Sequence, residues 1–257
     1  MTDTGGGVPP VGPGPEGALR RWVIADAHVG QRPGDAREMS ELVLRAPDED
    51  VDEIVYLGDA FQYLVGMEKL WTRAVRTVLH AWDQVRSRGV RVVLVEGNRD
   101  FFLDDPDLAE RRDLSCLVYD FAAGGRRFRC VHGDRVNQRD VNYRFWRAVS
   151  KSRVARVWAY LLPRGVARRL VAGMEARLAT TNRLFRYVKP VEALQREARL
   201  AWAEGVDVLL WGHFHTPWET AEGGRKALVV PAWLETGTVL TVEPWGEWRM
   251  EAARDAG

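Results

Sequence analysis

The sequence is poor in cysteine and histidine and has no long apolar run. Two cysteines in 257 residues, Cys116 and Cys130, cannot staple a disulfide framework, and no CxxC spacing offers a zinc ribbon or a dithiol redox pair. Both are expected as buried thiols. No stretch reaches the roughly 18 consecutive apolar residues of a membrane-spanning helix. Met1 to Arg21 is rich in glycine and proline but lacks the basic start and apolar stretch of a signal peptide. The expectation is a disordered tail over 1–21 and a cytoplasmic chain in reducing surroundings. With 46% hydrophobic and 28% charged residues, the chain over 22–257 suffices for one domain with a sizeable core.

Acidic residues are scarce in one region. Residues 135–200 hold 16 Lys or Arg against four acids, Asp140, Glu175, Glu192 and Glu197, in a chain whose net charge is +1. That block repels itself unless an anionic partner offsets it. Apolar residues recur there at helical spacing (Val141, Phe145, Val149; Trp158, Leu161, Leu162; Val166, Leu170, Met174, Leu178), which predicts a basic helical cap inserted over 137–203. Trp146, Trp158, Tyr160 and Tyr187 among the arginines suit an anionic membrane surface, where arginine stems lie on apolar surface and their heads stay wet. A nucleic-acid-binding protein or nuclease is the competing class. The segment has no such fingerprint and is more apolar than a phosphate-tracking groove requires, so no nucleic acid is expected as a partner. No obligate protein partner is indicated.

Five short runs rich in β-branched and apolar residues each stop at a polar cluster: Trp22 to Ala25, Ile54 to Leu57, Val92 to Val95, Phe128 to Val131 and Val208 to Trp211. They read as buried strands. Glu68 to Arg88, with Leu70, Ala74, Val78, Ala81 and Val85 on one face and Gly89 beyond its end, reads as a helix between two of them, so the class is α/β. The clusters are Asp26-Ala27-His28, Gly58-Asp59, Gly97-Asn98-Arg99-Asp100, His132-Gly133-Asp134 and Gly212-His213-Phe214-His215. Sites in open α/β sheets gather at the carboxyl ends of strands. Of five histidines, four directly follow an apolar run, and only His80 falls elsewhere, inside the expected helix. Two carboxylates, one amide oxygen and four imidazoles form a mixed oxygen and nitrogen donor set for borderline divalent ions. Two ions need a shared ligand, and Asp59 is the natural candidate for it.

The ordered series Asp-x-His, Gly-Asp, Gly-Asn, His and Gly-His-x-His, spanning residues 22–215, resembles the calcineurin-like metallophosphoesterase superfamily. The resemblance implies a four-layer αββα sandwich of two sheets flanked by helices. It also implies one metal on Asp26, His28, Asp59 and His215, and a second on Asp59, Asn98, His132 and His213. Within that superfamily, Gly97-Asn98-Arg99-Asp100-Phe101-Phe102-Leu103 is similar to the UDP-2,3-diacylglucosamine diphosphatases of lipid A biosynthesis, in which Arg replaces the His of many relatives. His132-Gly133-Asp134 leading to Asp140 and Tyr143, the basic insertion, and Ala232-Trp233 before a last strand around 237–242 extend the similarity over nearly the whole chain. Gln62-Tyr63-Leu64-Val65 depart from the acidic and aromatic residues usual after Gly-Asp-x-Phe, and Gly-His-Phe-His stands where Gly-His-Thr-His is usual. The departures keep a broader phosphodiesterase or nucleotide pyrophosphatase in play.

The resemblance implies two divalent ions, Mn2+ foremost, and hydrolysis of a lipid-linked nucleotide sugar to UMP and 2,3-diacylglucosamine 1-phosphate at the cytoplasmic side of the inner membrane. Asn98, Arg99, Asp100 and His213 form the expected catalytic set. Arg99 offers a bidentate cation for the phosphoryl group, while Asp100 is expected to orient a ligating histidine. Asp134 is expected to do the same or to cap a helix. Asp140, Tyr143, Asn182, Arg183 and Arg186 are the expected substrate contacts besides Arg99.

Overall fold

The computed structural model of the chain describes residues 12–13, 18–136, 152–163, 165–166, 169, 173 and 190–253. All five expected strands are present, as Arg21–Ile24, Glu53–Leu57, Arg91–Val95, Arg126–Val131 and Val208–Trp211. They divide between two six-stranded sheets. In the first, Trp248–Ala252, Thr238–Val242, Arg21–Ile24, Glu53–Leu57, Arg91–Val95 and Leu114–Cys116 lie side by side in that order. In the second, the order is Gly12–Pro13, Val118–Ala123, Arg126–Val131, Val208–Trp211, Arg225–Val229 and Glu219–Glu222. The first strand begins at Arg21, and Gly12–Pro13 pairs in parallel with Tyr119 and Asp120, so the expected tail contributes to both sheets.

The sheets face each other across Val23, Val55, Leu57, Val93, Phe121, Phe128, Cys130, Leu210, Leu228 and Leu240. Alternate residues of the same strands, such as Ile24, Ile54, Tyr56, Val92 and Leu94, point outward beneath the helices Asp35–Arg45 and Arg73–Ser87. A strand buried on both faces needs apolar residues at every position, which is why these runs read as continuous rather than alternating. The helix expected over 68–88 starts at Arg73, because Met67 and Trp71 are extended and the Thr72 hydroxyl caps its first turn by accepting from the Val75 N–H at 3.3 Å. Cys116 and Cys130 are buried free thiols, and His80 lies exposed on the helix.

The outer face of the second sheet is covered by the helix Val191–Ala203, whose Leu194, Ala198, Ala201 and Trp202 pack on Leu209, Trp211, Ala227 and Val229. This helix completes the four αββα layers. The sequence assigned it to the cap, yet its apolar face is spent on the sandwich. From the expected insertion, the helix Arg153–Leu161 stands apart, with Val154, Val157, Trp158 and Leu161 between 56% and 71% exposed. Among the described residues, no helix is long and apolar enough to cross a membrane.

Candidate metal centre

Strands Arg21–Ile24, Glu53–Leu57 and Arg91–Val95 run parallel, as do Arg126–Val131 and Val208–Trp211, so their carboxyl ends release their loops at one rim of the sandwich. The His28 N–H donates to the Asp59 carbonyl at 2.9 Å, and the His213 N–H donates to Asp26 Oδ2 at 2.6 Å. The first bond ties two loops of one sheet together, and the second joins the sheets. Asp26, His28, Asp59 and His213 all take left-handed backbone conformations, with φ of 47°, 44°, 49° and 67°. Each such residue costs roughly 1–2 kcal/mol, an expense borne where side chains must turn inward immediately after a strand. Gly58 and Gly97 leave the space this needs. A Cβ at Gly58 would lie 2.2 Å from His132 Nδ1, and one at Gly97 would lie 2.3 Å from Asp59 Oδ1.

Two clusters of buried ligating atoms result: Asp26, His28 and His215, and Asp26, Asp59 and His132. Asp26 Oδ1 stands 3.7 Å from the Nε2 of both His28 and His215. Asp59 turns Oδ1 toward His132 Nε2 at 3.6 Å and Oδ2 toward His28 Nδ1 at 4.0 Å. Asp26 belongs to both clusters, and Asp59 faces a histidine of each. Asn98 joins through Oδ1, 3.0 Å from His132 Nε2. The His213 ring lies edge-on to His132 with centroids 5.0 Å apart, next to both clusters but in neither.

These residues fit a divalent cation. Asp26 Oδ1 is buried and has no hydrogen-bond partner, and burial accordingly raises the pKa of this carboxyl despite the imidazoles of His132 and His215 nearby. A buried carboxylate oxygen is stable only when paired. His132 donates from Nδ1 to the Leu57 carbonyl at 3.0 Å, so its Nε2 lone pair confronts Asn98 Oδ1. Two acceptors meet at that distance only across a proton or a cation. Burial pulls the His132 pKa down, but Asp59, Asp26 and Asp134 outweigh it, and the net shift is upward. His213 goes the other way, to about 4, through burial and the neighbouring His132, which keeps its imidazole neutral and able to coordinate near neutral pH.

The calcineurin-like phosphoesterase model matches residues 19–217. The chain belongs to that family. It is a metal-dependent phosphoesterase, its family uses divalent metals, and its candidate ligands lie at the rim just described. Among curated relatives, a UDP-2,3-diacylglucosamine hydrolase from Ralstonia nicotianae is 30% identical over 87% of this chain and 91% of its own length. One from Stenotrophomonas maltophilia is 28% identical over 89% and 96%. In fold, the chain resembles the crystal structure of a dimetal phosphatase from Danio rerio, with a TM-score of 0.51 and 17% identity over 92% of this chain and 96% of that one.

Asp100 was expected to orient a histidine. Its Oδ2 accepts from the backbone N–H of Gly97 at 2.8 Å and of Asp59 at 3.2 Å, bracing two site loops against each other. Arg99 is buried, with Nη1 donating to the Gln62 carbonyl at 3.2 Å and Nε 3.5 Å from Asp59 Oδ2, while its own N–H donates to Asp59 Oδ1 at 2.9 Å. The guanidinium thus flanks the oxygen that faces His28. Asp134 is buried, and its charge helps raise the His132 pKa. Asp140, Tyr143, Asn182, Arg183 and Arg186, like Trp146 and Tyr187, lie outside the described residues.

The sequence reading overlooked Glu235. Its Oε1 lies 2.8 Å from His215 Nδ1, an arrangement that fixes the ring and leaves Nε2 facing Asp26. Glu235 arrives on the short helix Trp233–Thr236, which the Trp233 N–H ties to the Ala25 carbonyl at 2.8 Å. Nothing local distinguishes this glutamate from a surface one; its role depends on a strand pairing more than 200 residues apart in sequence.

Proposed function

We propose that the chain hydrolyses UDP-2,3-diacylglucosamine at the α-phosphorus, giving UMP and 2,3-diacylglucosamine 1-phosphate, with two Mn2+ ions and while resting on the cytoplasmic face of an anionic membrane. The observation that carries this reading is the near end-to-end match to relatives bearing that hydrolase name. The exposed row Val154, Val157, Trp158 and Leu161 supports it, because an acylated substrate needs apolar surface next to a diphosphate site. In the described structure that row belongs to a helix lying against the loop that follows Asn98 and Arg99.

Asp26, His28, Asp59 and His215 would hold one ion, and Asp59, Asn98, His132 and His213 the other. Two such ions supply Lewis acidity, neutralising charge on the phosphoryl oxygens and acidifying a water. The protein does the rest. Asp100 and the Leu57 carbonyl fix Asp59 and His132, Glu235 fixes His215, and Arg99 adds a permanent cation at the edge of the site. Water adds to the α-phosphorus as its bond to the bridging oxygen breaks. The new oxygen stays with UMP, and the sugar phosphate leaves with the bridging one.

Purified protein supplied with Mn2+ should release UMP from UDP-2,3-diacylglucosamine in mixed micelles and be much slower on simple aryl phosphodiesters. No UMP together with fast aryl phosphodiester cleavage would sink the lipid reading in favour of a broader phosphodiesterase or nucleotide pyrophosphatase.

A further inference from the structure

The helix Arg153–Leu161 is fastened to the sandwich at one buried carboxylate. Asp105 caps the short helix Pro106–Ala109 through Oδ1, which accepts from the Asp107 N–H at 3.4 Å. Its Oδ2 is turned the opposite way and takes the Tyr160 hydroxyl and Arg156 Nη2, the latter at 3.3 Å. Arg156 reaches Asp104 with its other arm at 2.7 Å, and its guanidinium stands 5.8 Å from the centre of the Phe102 ring. Lys69 Nζ donates to the carbonyls of Tyr160 and Leu162 at 2.7 and 3.3 Å, closing the helix's carboxyl end, and Ala159 and Leu162 pack on Tyr63, Val65, Met67, Leu70 and Phe101.

What Asp105 grips is continuous with the metal centre. From Asn98 the chain runs through Arg99 into Asp100–Phe101, which pairs with Leu64–Val65. It then passes Phe102, left-handed at φ 54°, whose carbonyl accepts from the Asp105 N–H at 2.9 Å. Only the six residues 99–104 therefore separate the candidate ligand Asn98 from the anchor of a helix whose outer face is apolar. The alternative role, a plain surface ion pair, does not account for a carboxylate that is 1% exposed and shared between two elements.

We infer that Asp105, with Arg156 and Tyr160, is a positioning residue: a clasp that sets the apolar helix Arg153–Leu161 over the site so that an acylated diphosphate is presented to it. The inference deepens the proposed function and rests on it for the substrate, but the clasp itself can be tested separately. Asp105→Asn keeps the Oδ1 acceptor of the helix cap and removes the charge that holds Arg156 and Tyr160. Tyr160→Phe removes only the hydroxyl and leaves a half-exposed ring, so it serves where Asp105→Asn folds poorly.

Two readouts decide the matter, both on the full chain with Mn2+. Hydrogen exchange over 153–161 should quicken about tenfold or more in each variant while that of the strand Glu53–Leu57 stays at the wild-type rate, the size expected for losing a hydrogen bond to a charged group. KM for UDP-2,3-diacylglucosamine should rise by a similar factor with kcat for an aryl phosphodiester unchanged. The double variant should be no worse than Asp105→Asn alone. Unchanged exchange over 153–161, or equal losses on the lipid and the aryl ester, would overturn the clasp. A wild-type chain that leaves the lipid diphosphate uncut would instead defeat the proposed substrate, and the exchange result would still decide whether the clasp exists.

Discussion

The helices Arg153–Leu161 and Val191–Ala203 come from one stretch that the sequence marks as a single basic, amphipathic cap, and the folded chain treats them oppositely. The second buries Leu194, Ala198, Ala201 and Trp202 on a sheet and becomes a layer of the sandwich. The first turns Val154, Val157, Trp158 and Leu161 to solvent and is held by polar bonds to Asp104, Asp105 and Lys69. Periodicity shows that a helix has an apolar face; what covers that face is decided by elements far away in sequence. Here the strand Val208–Trp211 and its neighbour Arg225–Val229 supply the cover for one helix only.

The comparison can be broken in order of expected effect. The largest effect is expected at the candidate metal centre, where Asp59→Ala should lower turnover by at least about a thousandfold on lipid and aryl substrates alike, measured by product release with Mn2+ in excess. Residual activity near wild type would remove Asp59 from the centre. Leu194→Ala should cost about 2–5 kcal/mol in a urea melt, the usual range for truncating a fully buried leucine. A loss under ~0.5 kcal/mol would mean that the helix Val191–Ala203 is not a structural layer. Val157→Ser in the other helix should leave stability within ~0.5 kcal/mol while weakening co-sedimentation with anionic liposomes. Destabilisation as large as that of Leu194→Ala would show this face to be covered after all.

The smallest effect concerns pH. With its pKa raised in the metal-free chain by Asp59, Asp26 and Asp134, His132 must give up a proton before Nε2 can coordinate. Mn2+ affinity should therefore climb as pH rises through that raised pKa and weaken below it, and calorimetry in buffers of different ionisation enthalpy should detect the released proton. Affinity that does not vary between about pH 5.5 and 8 would take His132 out of the ligand set.

Much of this centre was legible because each candidate ligand closely follows an apolar strand, and a polar cluster after a buried run has few other uses. Asp26, His28, Asp59, Asn98, His132, His213 and His215 all converge at one rim. The strands Arg225–Val229 and Trp248–Ala252 were harder to see, since charged residues interrupt their apolar pattern, and the latter lies at a sheet edge with one side exposed. Glu235 and the bracing role of Asp100 were hidden for another reason. Both act through bonds set by tertiary pairing, Asp100 on backbone N–H groups of Gly97 and Asp59, and Glu235 on a histidine twenty positions away.

Hydrolysis of UDP-2,3-diacylglucosamine in water enriched in 18O tests the central claim most directly, with both products analysed by mass spectrometry. Attack at the α-phosphorus places one heavy oxygen in UMP and none in 2,3-diacylglucosamine 1-phosphate. Label in the sugar phosphate, or no cleavage of the diphosphate by the Mn2+-loaded protein, would contradict it.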